Sequence, residues 1–274
     1  MRGLRLAVLI GLAFAGCKHG PGPRRQDPNY REPLITGYLY RVEYYDYSVE
    51  YERDFEVYDH EGLRMVPVLE VNGTAVPPYF YSWASYKYGD NERFTTYRYY
   101  ELDVTHYWGS AFSRIVMPGN FLVTNPPGDS YVLDLESTLV VTWRSSAGAQ
   151  WYWIDVYASY DFLDSSGQWD DFEFEMDTTV KDTYLALPPG RVFPHEVMDV
   201  LEGDGSALVW AGYGPPVEPG DYGNVRGSGY GFYNGFNEPK EKYFWVGAPI
   251  AVRRSPGTPE SRVKLKTKLA ARRQ

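Results

Sequence analysis

The chain has 274 residues and a single cysteine, so no disulfide or cysteine metal cluster forms within one molecule, and a body of this length can bury a core without one. Its net charge is −9, but removing Arg2, Arg5 and the eight basic and one acidic residues of 253–274 from the 27 basic and 36 acidic residues leaves 17 basic against 35 acidic in 18–252. A body this acidic argues against nucleic acid as a partner, because phosphate binding needs clustered Lys and Arg, and it favours cations or cationic surfaces.

The chain opens with Arg2 and Arg5, followed by an apolar run from Leu6 to Phe14. That run suits an export signal and is too short to cross about 30 Å of hydrocarbon as a helix. Ala15 and Gly16 then precede the only cysteine, and Leu12-Ala13-Phe14-Ala15-Gly16-Cys17 resembles the lipobox of bacterial lipoproteins. The resemblance implies cleavage before Cys17 and acylation of its thiol with palmitate-type chains, which makes the membrane a partner. An ordinary secretory signal cut nearby, leaving a free thiol, is the alternative. Lys18 stands where an aspartate would resemble the inner-membrane retention signal, so the outer membrane is expected rather than the inner. Residues 1–16 are therefore read as a signal peptide, and 17–33, polar and proline-rich, as a disordered tether.

Twenty-six Tyr and eight Trp fit pleated strands, while 27 Gly and 20 Pro break helices and furnish turns. The body is expected to be all-β, as two tandem β-sandwich domains. In 34–118 the period-two pattern of Tyr38, Tyr40, Val42 and Tyr44 against Leu39, Arg41 and Glu43 marks a strand with two distinct faces. Phe55–Tyr58, Val66–Val71, Tyr79–Trp83, Phe94–Val104 and Arg114–Met117 are read as further strands, with turns at Asn72-Gly73 and Asp90-Asn91. The run Pro67–Pro77 followed by Tyr99–Val104 resembles small transthyretin-like or carboxypeptidase-regulatory-like sandwiches.

Met117-Pro118-Gly119-Asn120 is the expected boundary before a second domain over 119–252. Leu139–Trp143 and Trp151–Tyr157 resemble the second and third strands of fibronectin type III or related immunoglobulin-like domains, which implies that Trp143 packs near Tyr152. Thr178–Pro189 is similar to the approach to strand F, although a corner tyrosine is missing. Residues 207–250 close the fold through Leu208–Ala211, the Gly/aromatic run 223–235 and Tyr243–Val246. Residues 253–274 are read as a basic disordered tail.

Catalytic patterns are weak. His195-Glu-Val-Met-Asp199 misses the second histidine of a zinc-protease helix, and no G-x-S-x-G elbow is present. Gly227–Gly231 lacks the dinucleotide spacing. The oxygen-rich stretch Asp161–Asp170 suits a hard cation in composition but not in EF-hand spacing. No catalytic residue, metal site or cofactor is assigned.

The strongest local signal is a hairpin of 151–160 with 170–177. Trp151, Trp153, Asp155 and Tyr157 share one face, beside the acidic row Asp171, Glu173, Glu175 and Asp177. Matching the apolar faces allows Val156 opposite Phe174, which sets Asp155 opposite Glu175. Like charges there destabilise a sheet, so either the register slips by two or a cation intervenes. Trp151, Trp153, Tyr157, Asp155, Glu173 and Glu175 form the candidate binding face, with packing of the two tryptophans against the first domain or the chain around 230–236, and the acids facing water, as the alternative. The expected function is a non-enzymatic structural or ligand-binding lipoprotein whose partner is an envelope protein or glycan. The alternative is an envelope carbohydrate-binding accessory protein or hydrolase.

Overall fold

The computed structural model describes residues 32–44, 46–59, 65–128, 130–194, 197–216 and 223–247. The expected signal peptide, Cys17, nearly all of the expected tether and the basic segment 253–274 lie outside them. In chain order the strands are β1 (Leu34–Glu43), β2 (Val49–Tyr58), β3 (Val68–Val71), β4 (Thr74–Ala75), β5 (Pro78–Tyr81), β6 (Ser85–Asp90), β7 (Tyr99–His106), β8 (Gly109–Val116) and β9 (Val123–Asn125). They continue with β10 (Val132–Leu133), β11 (Leu139–Trp143), β12 (Trp151–Asp164), β13 (Trp169–Val180), β14 (Tyr184–Leu187), β15 (Val197–Tyr213), β16 (Arg226–Gly227), β17 (Tyr230–Glu238) and β18 (Lys242–Val246). The only helix among the described residues is one turn, α1 (Pro189–Val192), so the chain is all-β.

Two sandwiches result, each with its own apolar core. In the first, the sheet β17-β1-β2-β6-β5 turns Ile35, Leu39, Phe55, Val57, Tyr88 and Tyr233 inward, against Leu69, Val71, Leu102, Val104, Ala111 and Ile115 of the sheet β16-β8-β7-β3-β4. On β1 the odd-numbered residues face this core, and Tyr38, Tyr40 and Val42 face the other way. Asn72 and Gly73, both at positive φ (50° and 73°), make the tight turn that folds β4 back on β3.

The second sandwich packs β14-β11-β9 on the layer formed by β10, β18, β15, β12 and β13. Val123, Leu139, Val141, Trp143 and Leu187 meet Tyr152, Ile154, Val156, Ala158, Val209 and Phe244 there. The rings of Trp143 and Tyr152 lie 5.4 Å apart, edge to face. Strands β11 and β12 lie in opposite sheets, and β12, β15 and β18 lie side by side, the crossing pattern of immunoglobulin-like sandwiches.

The two layers on one side merge into a single ten-stranded sheet. Strand β15 pairs with β18 along Gly203–Ala207 and with β17 along Ala211–Tyr213, and β17 runs on parallel to β1 from Leu34↔Tyr230 to Val42↔Glu238. Residues 223–238, which the sequence groups with the second half, thus provide two strands and the core residues Val225 and Tyr233 of the first. At the junction Asn237 is fully buried. Its amide donates to the carbonyls of Pro118 (3.1 Å) and Gly119 (2.7 Å), while its oxygen accepts from Arg41 (3.0 Å).

Several strands exceed their sequence-based limits. Arg114–Met117 covers only the end of β8, and Ser85–Asp90 carries no clean alternation in sequence yet pairs on both sides.

Candidate binding face

The hairpin β12–β13 forms with a register two residues away from the one the apolar match allowed. Val156 faces Met176, and Asp155 faces Asp177 rather than Glu175. The slip keeps every residue on its expected face and places bulky Phe174 opposite small Ala158, with Phe172 beside Tyr160 at 5.6 Å between rings. The turn fixes it. Asp164 accepts from the backbone N–H groups of Ser166 and Gln168, both at 2.8 Å, and Leu163 pairs with Trp169. Those hydrogen bonds, Gln168 foremost, hold the Asp164 carboxyl below its ordinary range. The oxygen-rich stretch 161–170 is therefore a hairpin turn whose carboxylate is engaged by its own backbone.

Residues facing each other across paired strands share a face, so the outer side of the sheet is read in rows. Thr179, Trp153 and Trp210 form one row; Asp177, Asp155 and Leu208 the next; Glu175, Tyr157, Ser206 and Tyr243 the third; Glu173, Ser159, Asp204 and Trp245 the fourth. Five of the six candidate residues, Trp153, Asp155, Tyr157, Glu173 and Glu175, thus lie together on one acidic and aromatic surface.

Trp151 instead takes the packed alternative, against the chain around 230–236. It is 8% exposed, its indole N–H donates to the Gly214 carbonyl at 2.7 Å, and its ring meets Phe236 edge-on at 5.7 Å. Gly212 makes room for the ring. Trp151 is packing between β12 and β17 and does not present its ring to a ligand. Trp153 stacks on Trp210 with centroids 4.6 Å apart and planes 25° apart.

Sequence reasoning missed Trp210, Glu238 and Tyr40, which extend the face toward the first sandwich. The Trp210 indole N–H donates to Glu238 Oε2 at 2.6 Å, and the Tyr40 hydroxyl donates to the same carboxylate. Alternation within Leu208–Ala211 was the available signal, since it puts Trp210 on the side opposite Val209. Farther along, the Tyr38 hydroxyl donates to Glu52 (3.3 Å) and Asp54 (3.0 Å), and the Tyr79 hydroxyl donates to Asp54 (3.0 Å). Burial pushes both carboxyls above their ordinary values, with the Tyr38 hydrogen bond partly opposing it, and burial raises Tyr38, beside Asp54 and Glu52, and Tyr40, beside Glu238, far above theirs.

A second aromatic group went unremarked in the sequence. Tyr81 and Trp83, at the tip between β5 and β6, are 74% and 73% exposed, with Tyr107 exposed nearby in the β7–β8 turn. The row Leu34–Tyr58–Ser85 and the hydrogen bond from the Trp108 indole to Asp59 (3.2 Å) put both turns at the end of the sandwich where the chain enters β1.

Of the zinc-protease near miss, His195 and Glu196 lie outside the described residues, and Val197–Asp199 begin strand β15 rather than a helix. Among the described residues no three His, Cys, Asp or Glu side chains converge as a metal site. Two shallow depressions lie on the described surface, one over Leu34, Thr36, Glu56 and Tyr58 and another over Pro127, Gly128, Ser130 and 240–243.

The strand pairing defines an all-β protein of two β-sandwiches, the second immunoglobulin-like in its strand pattern, joined through one ten-stranded sheet. No protein-family model and no curated protein sequence matches the chain. Among solved structures it is similar to the tandem Ig repeats of Dlar at 12% identity, covering 74% of this chain and 98% of that one with a TM-score of 0.24. It is also similar to fibronectin(III)-like modules of Clostridium thermocellum CbhA, at 8% identity over 79% and 91% of the two chains with a TM-score of 0.27.

Proposed function

We propose that the protein is a non-enzymatic envelope lipoprotein, acylated at Cys17 and held on the outer membrane, that presents the acidic and aromatic outer face of its sheet to a cationic partner in the envelope. The observation that carries this reading is the set of rows around Trp153, Asp155 and Tyr157, where carboxylates of β12, β13 and β15 share a face with aromatic rings of β12, β15 and β18. Such a surface attracts ammonium and guanidinium groups through charge and through ring faces. The stacked pair Trp153–Trp210 and the packed Trp151 favour this over a sugar platform, which needs rings lying open beside a cleft.

The exposed rings of Tyr81, Trp83 and Tyr107 support the membrane placement. They sit at the end where the chain arrives from Cys17, and Tyr and Trp prefer the depth of lipid headgroups. A second contact of this kind strengthens anchoring by acyl chains.

Two measurements test the reading. Cys17→Ala is expected to abolish acyl labelling and processing by lipoprotein signal peptidase, and continued palmitate incorporation in that variant would sink the anchor. Oligolysine is expected to bind the full chain in a salt-sensitive manner, weakened by Glu175→Gln with Tyr157→Ala; equal binding by that variant removes the face from the function.

A further inference from the structure

Strand β13 closes one side of the long sheet. Among the described residues it pairs with β12 alone, so a row of backbone N–H and C=O groups along Trp169–Val180 points away from the sheet. A twelve-residue open edge is a template for another strand, and natural sheets shorten, charge or cover such edges. The side chains of β13 alternate strictly. Asp171, Glu173, Glu175 and Asp177 are exposed on one face, while Phe172, Phe174 and Met176 are half-buried against the second core on the other.

The same alternation with the opposite charge recurs in this chain. In the segment 262–269, outside the described residues, Arg262, Lys264, Lys266 and Lys268 alternate with Val263, Leu265, Thr267 and Leu269. We propose that 262–269 adds to the open edge of β13 as a further strand of the sheet. Its basic row then flanks the acids of β13, and its apolar row continues Phe172, Phe174 and Met176 over the core. Parity decides the fit. A slip by two residues keeps both matches, and a slip by one sets charge against the apolar row on both strands.

The chain can reach this edge. Val246, the last residue of β18, faces Gly203, which faces Tyr160, which faces Phe172, so the chain leaves the sheet three strands from β13. The added strand lies four spacings away, about 19 Å, and the residues between Gly247 and Arg262, at roughly 3.3 Å each, span more than that. This inference stands independently of the anchor and of any envelope partner. If both hold, a cationic partner competes with the chain's own segment for Glu173 and Glu175.

Hydrogen exchange on the full chain and on a chain ending at Val252 tests the proposal. The β13 N–H groups that are not bonded to β12 are expected to exchange at least about tenfold more slowly in the full chain. Adding a synthetic 253–274 peptide to the shortened chain is expected to restore that protection. In the full chain, Glu173→Lys with Glu175→Lys is expected to remove it while β12 stays protected, which shows that the sandwich remains folded. Adding Lys264→Glu with Lys266→Glu is expected to bring it back. Equal exchange in the full and shortened chains overturns the proposal, as does protection that survives the charge reversal. Protection that rises with protein concentration overturns it in favour of a second copy at the edge, and 253–274 bound to anionic vesicles with β13 unprotected overturns it in favour of lipid.

Discussion

Trp153 of β12 and Trp210 of β15 face each other in register and stack with their rings 4.6 Å apart. The two members are not equivalent. Trp210 is buried and holds Glu238, which also takes the Tyr40 hydroxyl, so it links the second sandwich to the strand shared with the first. Trp210→Ala is expected to cost about 3–5 kcal/mol, since it opens a cavity and strips a buried carboxylate of a donor. Trp153→Ala, at a half-buried position, is expected to cost about 1–2 kcal/mol less than that while weakening oligolysine binding. Denaturant unfolding of the two single variants and the double measures this, and equal losses from both would show that the stack is ordinary packing.

The parallel pairing of β1 with β17 makes the first sandwich depend on residues that follow the second. A chain ending at Pro118 is expected to remain unfolded, because it lacks β16, β17, Val225 and Tyr233. Far-ultraviolet dichroism and amide dispersion check this; cooperative melting of that fragment would disprove the dependence.

This dependence also marks the limit of what the sequence reveals. Period-two alternation identified the faces of β1, β12 and β13 correctly, because which side a residue takes is a local property of the pleat. It also brought together five of the six candidate residues. It did not reveal that Tyr230 lies beside Leu34, since nothing local in either strand encodes a partner almost two hundred residues away. Register stayed open between the simplest apolar match and a slip by two, and the structure takes the slip. Two residues of slip leave both faces unchanged, and the choice was made by the Asp164 turn and by the fit of Phe174 to Ala158. For Trp151 the sequence left a binding face and packing against the chain around 230–236 both open, and the choice between them rests on Gly212 and Phe236, from strands brought in by long-range pairing.

Gly37 faces Phe55 on the inner side of β1–β2, and a β-carbon there would overlap the phenyl ring. Gly37→Ala is expected to destabilise the protein by about 1–3 kcal/mol through overpacking. Gly190, in α1, has open space where its β-carbon would project, and Gly190→Ala is the matching control with little expected change. Thermal melting of both distinguishes steric overlap from a general intolerance of lost glycines.

His106 is buried, and desolvation lowers its pKa, with the Ser228 backbone and the charges of Asp59 and Glu32 opposing that shift. A histidine kept neutral by the fold contributes stability above its ordinary value of 6.5, and that contribution is lost as pH falls below it toward the depressed folded value. Stability is expected to fall between neutral pH and about pH 5, and His106→Gln is expected to flatten that slope. An unchanged slope in the variant would assign it to other groups.

Glu52 and Asp54 act with the opposite sign. Burial raises both, so the fold favours their protonated forms, and the stability they contribute is complete below the unfolded values and is lost as pH rises through the raised folded values. At neutral pH their charges are held in the sheet at a cost. Asp54→Asn removes that charge, keeps an acceptor for one of the Tyr38 and Tyr79 hydroxyls, and turns its NH2 toward the other, whose oxygen can accept. It is expected to melt at a higher temperature than the parent at pH 7, with the difference vanishing as pH falls below about 4. A variant that is less stable than the parent by the same margin at both pH values would mean that the hydrogen bonds to the ionised carboxylate outweigh its burial, because the loss would then not follow its protonation.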